Sequence, residues 1–110
     1  MIHIVTERAT LPQIEEMLQT LQTYIKLAVD VHRLILAGGG ALHADCEAAL
    51  LEDGSRQGDV WGADWYPESH EVRFESLMNL RPKQGNRSMR ITDPILCETI
   101  AAIVRERLGQ

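Results

Sequence analysis

Aromatic residues are scarce in this chain: two Trp, two Tyr and one Phe in 110 residues. A core must therefore be built mostly from Leu, Ile, Val, Ala and Met, and Trp61 and Trp65, which could stack bases, are read as core. Cysteine is as rare, with only Cys46 and Cys97. Two distant cysteines make no disulfide framework and no CxxC zinc ribbon. Basic residues are in the minority, 11 Lys and Arg against 16 Asp and Glu, for a net charge of -5. General nucleic-acid binding and attachment to anionic membranes, which need basic surfaces, are disfavoured. No apolar run approaches the ~20 residues of a membrane span, and no basic-then-apolar leader opens the chain. These absences lead us to expect a reduced, cytoplasmic protein. The length and 45% hydrophobic content suit a single domain over residues 1–110.

What is present organises into alternating elements. Residues 1–5 are short, apolar and partly β-branched, a strand. Thr10 and Gln13 have capping-box spacing, Pro12 is tolerated in a first turn, and Ile14, Met17, Leu18 and Leu21 keep helical periodicity over 11–22. Residues 24–31 alternate, with Ile25, Leu27, Val29 and Val31 on one face, as in a half-buried strand. Residues 34–37 read as its return partner, and residues 43–53 as a helix stopped by Gly54. Residues 60–66 and 72–80 predict two strands joined by a loop at Pro67–His70, with Trp61 and Trp65 on a core face. Residues 82–87 predict a polar loop, and 88–91 a further short strand. Asp93 and Pro94 open a last helix with Leu96, Ile100, Ile103 and Val104 on its apolar stripe. The expected fold is α+β: a mainly antiparallel sheet of four to six strands with three helices, in the order β-α-β-β-α-β-β-(β)-α.

Two stretches carry candidate chemistry. The first is GGGALHADCE, residues 38–47. His43 and Glu47 are i, i+4 neighbours on one helical face, a histidine beside a carboxylate, which suits proton transfer. Gly39 and Gly40 would let an anionic group approach the free N–H groups of the helix start. Cys46 is predicted to face inward. The competing reading is structural: acids at a helix start complement its dipole, and the glycines only turn the chain. Neither GxxxxGK[ST] nor GxGxxG is present, so no nucleotide fingerprint supports the glycine run. A metal set of His43, Glu47 and a distant Asp is the weaker alternative, and no metal or cofactor is assigned.

The second stretch is NLRPKQGNRSMR, residues 79–90, with four basic residues and no acid. Arg81, Asn86, Arg87 and Ser88 are candidate ligand-binding residues for phosphate or carboxylate oxygens. Residues 43–53 carry acids and no Lys or Arg. The two stretches therefore either pair with each other, within or across copies, or line one cleft. Asp30 and Asp64 stand on the polar faces of strands, where Asp is disfavoured; cross-strand pairing with Lys26 or Arg73 would account for them. His32 and His70 fall in expected turns.

The strings YIKLAVDV, LAGGGALHADCEAALLEDGSRQ, WGADWYP and NLRPKQGNRSM resemble a small bacterial family of proteins with no assigned function. The resemblance runs from about Tyr24 onward, through a GGGxxHADCE and an RPxxxNRS segment. It implies a compact cytoplasmic domain and brings no catalytic residues. The function expected is binding of an anionic, phosphate-bearing ligand beside a His43/Glu47 acid–base pair, with hydrolysis as the candidate reaction. The alternative is a non-catalytic protein-interaction or homodimerising module.

Overall fold

Thr10 accepts the Gln13 N–H while the Gln13 side chain accepts the Thr10 N–H, and this reciprocal cap starts the first helix. The computed structural model describes residues 1–109. Among them it has β1 (His3–Val5), α1 (Leu11–Leu18), β2 (Ile25–Asp30), β3 (Ile35–Gly38), α2 (His43–Glu52), β4 (Val60–Tyr66), β5 (Glu71–Arg73) and α3 (Pro94–Leu108). The five strands form one antiparallel sheet in the order β1-β3-β2-β4-β5. The α+β class, the sheet and the three helices are those the sequence predicts. None of the described helices is long and apolar enough to cross a membrane.

The period-2 pattern sorts side chains between two cores. Ile25, Leu27, Val29, Trp61, Ala63 and Trp65 turn to one face, against Ile14 and Met17 of α1 and Ile100 and Val104 of α3. Ala28, Ile35, Ala37 and Val60 turn to the other, against Cys46 and Leu50 of α2. β2 is thus buried on both faces and not half-buried as its alternation suggests, because α2 covers the second face. Ala28 is small enough to lie under it.

Several expected elements are shorter. α1 stops at Leu18 and not at residue 22: Gln22 takes a left-handed φ of 70°, and Thr20 donates to the Gly39 carbonyl at 2.8 Å. Asp30 needs no cross-strand cation. Its Oδ1 accepts the N–H groups of His32 and Arg33, each at 2.9 Å, and so builds the β2–β3 turn.

The strand expected at 72–80 ends at Arg73. Beyond it the chain leaves the ladder in two single helical turns, Leu77–Asn79 and Pro82–Gln84. The strand expected at 88–91 reduces to one bridge, Glu75 with Arg90. Asn79 supplies the physical reason. Its buried amide accepts from the Gly62 N–H at 2.8 Å and donates to the Gly62 carbonyl at 2.9 Å, satisfying the β4 edge as a strand backbone would. Gly62 has no Cβ, which leaves room for Ser76: a Cβ there would lie 2.6 Å from that of Ser76.

Candidate functional site

α2 begins at His43, with Leu42 at its cap. The Asp45 carboxylate reaches back to the Leu42 N–H at 3.2 Å, so the helix start is closed by its own side chain. Cys46 and Leu50 point at the sheet and are fully buried. Helical spacing therefore sets His43 and Glu47 on the flank of α2, toward β4 and residues 76–84.

His43 meets Asp64 there. Its Nε2 lies 2.8 Å from Asp64 Oδ1 and 3.2 Å from the Ala63 carbonyl. Both neighbours accept hydrogen bonds, so Nε2 is the donor there, and Nδ1 is the ring's other nitrogen. Only 14% of the His43 side chain and 12% of the Asp64 side chain remain exposed. Nδ1 has no protein partner among the described residues. Beside the ring is a hollow of about 360 Å³ lined by Lys26, Leu42, His43, Ser76, Leu77 and Met78. Lys26, the register neighbour of Asp64, donates to the Ala41 carbonyl at 3.1 Å and brings a cation to this hollow. Lys26 and Arg73 stand opposite Asp64 in the register, as the sequence reading expected, while its close contact at 2.8 Å is to His43 of α2.

One turn further along α2, Glu47 and Arg81 together border a second hollow of about 610 Å³. Leu77 and Met78 wall both hollows. Arg81 is committed elsewhere: it donates to the carbonyls of Met78, Gln57 and Val60 and to the Gln84 side chain. Its guanidinium lies 4.5 Å from the centre of the Trp61 ring. Burial lowers its pKa from the usual value, and Glu47 opposes that. Arg81 Nη2 stands 3.7 Å from Glu47 Oε2, an ion pair longer than a hydrogen bond, which joins the acidic and basic stretches within one molecule as one of the two sequence readings expected.

The other expected site residues lie apart. Gly39 and Gly40 are buried, and a Cβ on Gly39 would fall 2.1 Å from the Met1 carbonyl oxygen. A Cβ on Gly40 would crowd Asp45 and Cys46 at 3.1 and 3.3 Å. Their openness is filled by protein. Asn86 is buried and donates to the carbonyls of Asn79, Ser88 and Arg90 while accepting from Thr92, so it organises its loop. Ser88 Oγ accepts the Arg90 N–H. Arg87 is exposed and lines neither hollow. Cys46 donates to the Lys26 carbonyl at 3.4 Å. Burial pushes its thiol up to about 11, so it is no nucleophile near neutral pH.

The structure therefore brings together His43, Glu47 and Arg81, and adds Asp64 and Lys26, which sequence reasoning did not place at the site. An Asp in a strand was the available signal; it was read as the cross-strand neighbour of Lys26 or Arg73, which the register bears out, and its contact with His43 was not foreseen. Among the described residues no group of three His, Cys, Asp or Glu could hold a metal ion.

A family model described as protein of unknown function (DUF5674) matches residues 3–107. The chain belongs to the DUF5674 family. No significant match was found among curated proteins or solved structures. The DUF5674 description names no ligand and no reaction, so the chemistry of the α2 flank has to be argued from its own residues.

Proposed function

We propose that this DUF5674 protein binds a small anionic ligand, a phosphate monoester, in the hollow beside His43. The observation that carries the reading is the His43–Asp64 contact of 2.8 Å. A carboxylate fixes the ring, leaves Nδ1 free of it, and stabilises the imidazolium that forms when Nδ1 takes a proton. Lys26 supplies the positive charge that holds the anion. The acid–base group is then His43 with Asp64, and Glu47 has a separate place. The reaction this arrangement suits is hydrolysis. Water gives its proton to Nδ1 as its oxygen attacks phosphorus, and the proton passes to the departing alcohol.

Calorimetric titration with phenyl phosphate tests the binding, and phenol release tests the reaction. Lys26→Met should weaken binding about tenfold, as loss of a charged hydrogen bond does. His43→Ala should abolish release while the fold persists. A wild-type protein that neither binds phenyl phosphate nor releases phenol would overturn the reading.

A second reading, an interaction module, draws on Leu42, Leu77 and Leu80, which are 56%, 73% and 45% exposed around the same hollows. A second copy seated there would cover them.

A further inference from the structure

Three polar groups on the larger hollow are committed to protein. Arg81 donates to the carbonyls of Met78, Gln57 and Val60 and pairs with Glu47. The Gln84 amide accepts from Arg81 and donates to the Gly58 carbonyl at 3.0 Å. What they leave for a ligand is mainly hydrocarbon. Leu77, Met78, Leu80 and Pro82 wall the space, and Leu77 and Leu80 stay 73% and 45% exposed. Apolar surface of this kind gains free energy when it is covered. At Gly58 the wall also lacks a side chain: an added Cβ would meet nothing nearer than Gln84 Nε2 at 3.9 Å.

We infer that this hollow holds the organic part of the ligand, and that the ligand class is a phosphate monoester of an apolar alcohol rather than a sugar phosphate. The inference rests on the proposed phosphate position beside His43. Leu77 and Met78 border both hollows. His43 lines one and Glu47 the other, and the four helical residues between them span about 6 Å along the axis. A molecule whose phosphate meets Lys26 can cross that interval with one or two fused rings. A sugar would set its hydroxyl groups against leucine and proline, where they lose water and gain no partner. The volume of about 610 Å³ is that of a small-molecule pocket and exceeds the need of one phenyl ring.

Four probes test it by calorimetric titration: 1-naphthyl phosphate, phenyl phosphate, ribose 5-phosphate and neutral 1-naphthol. The wild-type protein should bind 1-naphthyl phosphate about tenfold more tightly than phenyl phosphate, the gain from burying a second ring, and ribose 5-phosphate more weakly than either. Gly58→Phe, which fills the hollow, should remove the naphthyl advantage. Circular dichroism checks the fold of this variant, and Leu80→Ser, which strips one apolar wall and should narrow the advantage, serves if Gly58→Phe does not fold. 1-Naphthol should shift the methyl resonances of Leu80 in the wild type and leave Leu80 unmoved in Gly58→Phe. Equal affinity for the two aryl phosphates, or an advantage that survives in both variants, overturns the inference and leaves the phosphate reading in place. If 1-naphthol shifts Leu80 and neither aryl phosphate binds more tightly than it does, the apolar hollow stands and the phosphate reading falls. A dimer that 1-naphthyl phosphate does not disperse would seat a second copy on these leucines and overturn the inference as well.

Discussion

Asn79 does with one side chain what a sixth strand would do with its backbone. Its amide satisfies both polar groups of Gly62 and donates to the Phe74 carbonyl at 3.2 Å. Asn79→Ala strands a buried N–H and a buried carbonyl, and urea unfolding should register a loss of about 3 kcal/mol. Cys46 predicts a pH effect. Unfolded, its thiol ionises around the ordinary 9.0; folded, burial delays ionisation to about 11. Between those values the unfolded state holds fewer protons, so stability falls as pH rises through that window and is fully present below it. The loss approaches about 3 kcal/mol near the upper end. Cys46→Ala should flatten that part of the stability–pH curve relative to wild type; parallel curves would show that the thiol does not contribute.

At the scale of elements, caps, alternation and the Gly54 stop of α2 were legible, and the ends of α1 and β5 were not. Thr10 with Gln13, and Asp93 with Pro94, mark helix starts through local chemistry, and Asp93 accepts from the N–H groups of Ile95 and Leu96 as its position implies. Asp93→Ala should cost about 1 kcal/mol in thermal unfolding. The end of β5 was hidden because Ser76, Met78 and Leu80 continue a period-2 pattern, whereas the competing partner, Gly62, is distant in sequence and meets Asn79 only after folding. The glycine run has the same lesson. Gly39 was read as space for a ligand, but at φ +104° it makes room for the Met1 carbonyl. Gly39→Ala should lower stability by about 2 to 4 kcal/mol, through both left-handed strain and contact with the N-terminal backbone. A loss within a few tenths of wild type in urea would contradict that account.

At the scale of the whole molecule, the site was half legible. The helical period put His43 and Glu47 on one flank, which holds, but it could not supply Asp64 from β4 or Lys26 from β2, since those depend on strand order. Asn86, Arg87 and Ser88 were grouped with Arg81 by their place in one stretch and their capacity to bind oxyanions, and none of the three lines either hollow. Both edges of the sheet are three-residue strands, too short to template pairing with another chain. The ligand reading therefore predicts a monomer by sedimentation velocity, with mass unchanged between low and high salt; a dimer that masks Leu42, Leu77 and Leu80 would favour the interaction module instead. The most direct test of the central claim is nitrogen NMR of the histidine rings during titration with phenyl phosphate. The account predicts that neutral His43 carries its proton on Nε2, that its Nδ1 signal moves on addition of ligand, and that exposed His32 and His70 stay unmoved. A His43 protonated on Nδ1 in the free protein, or rings that all ignore the ligand, would contradict it.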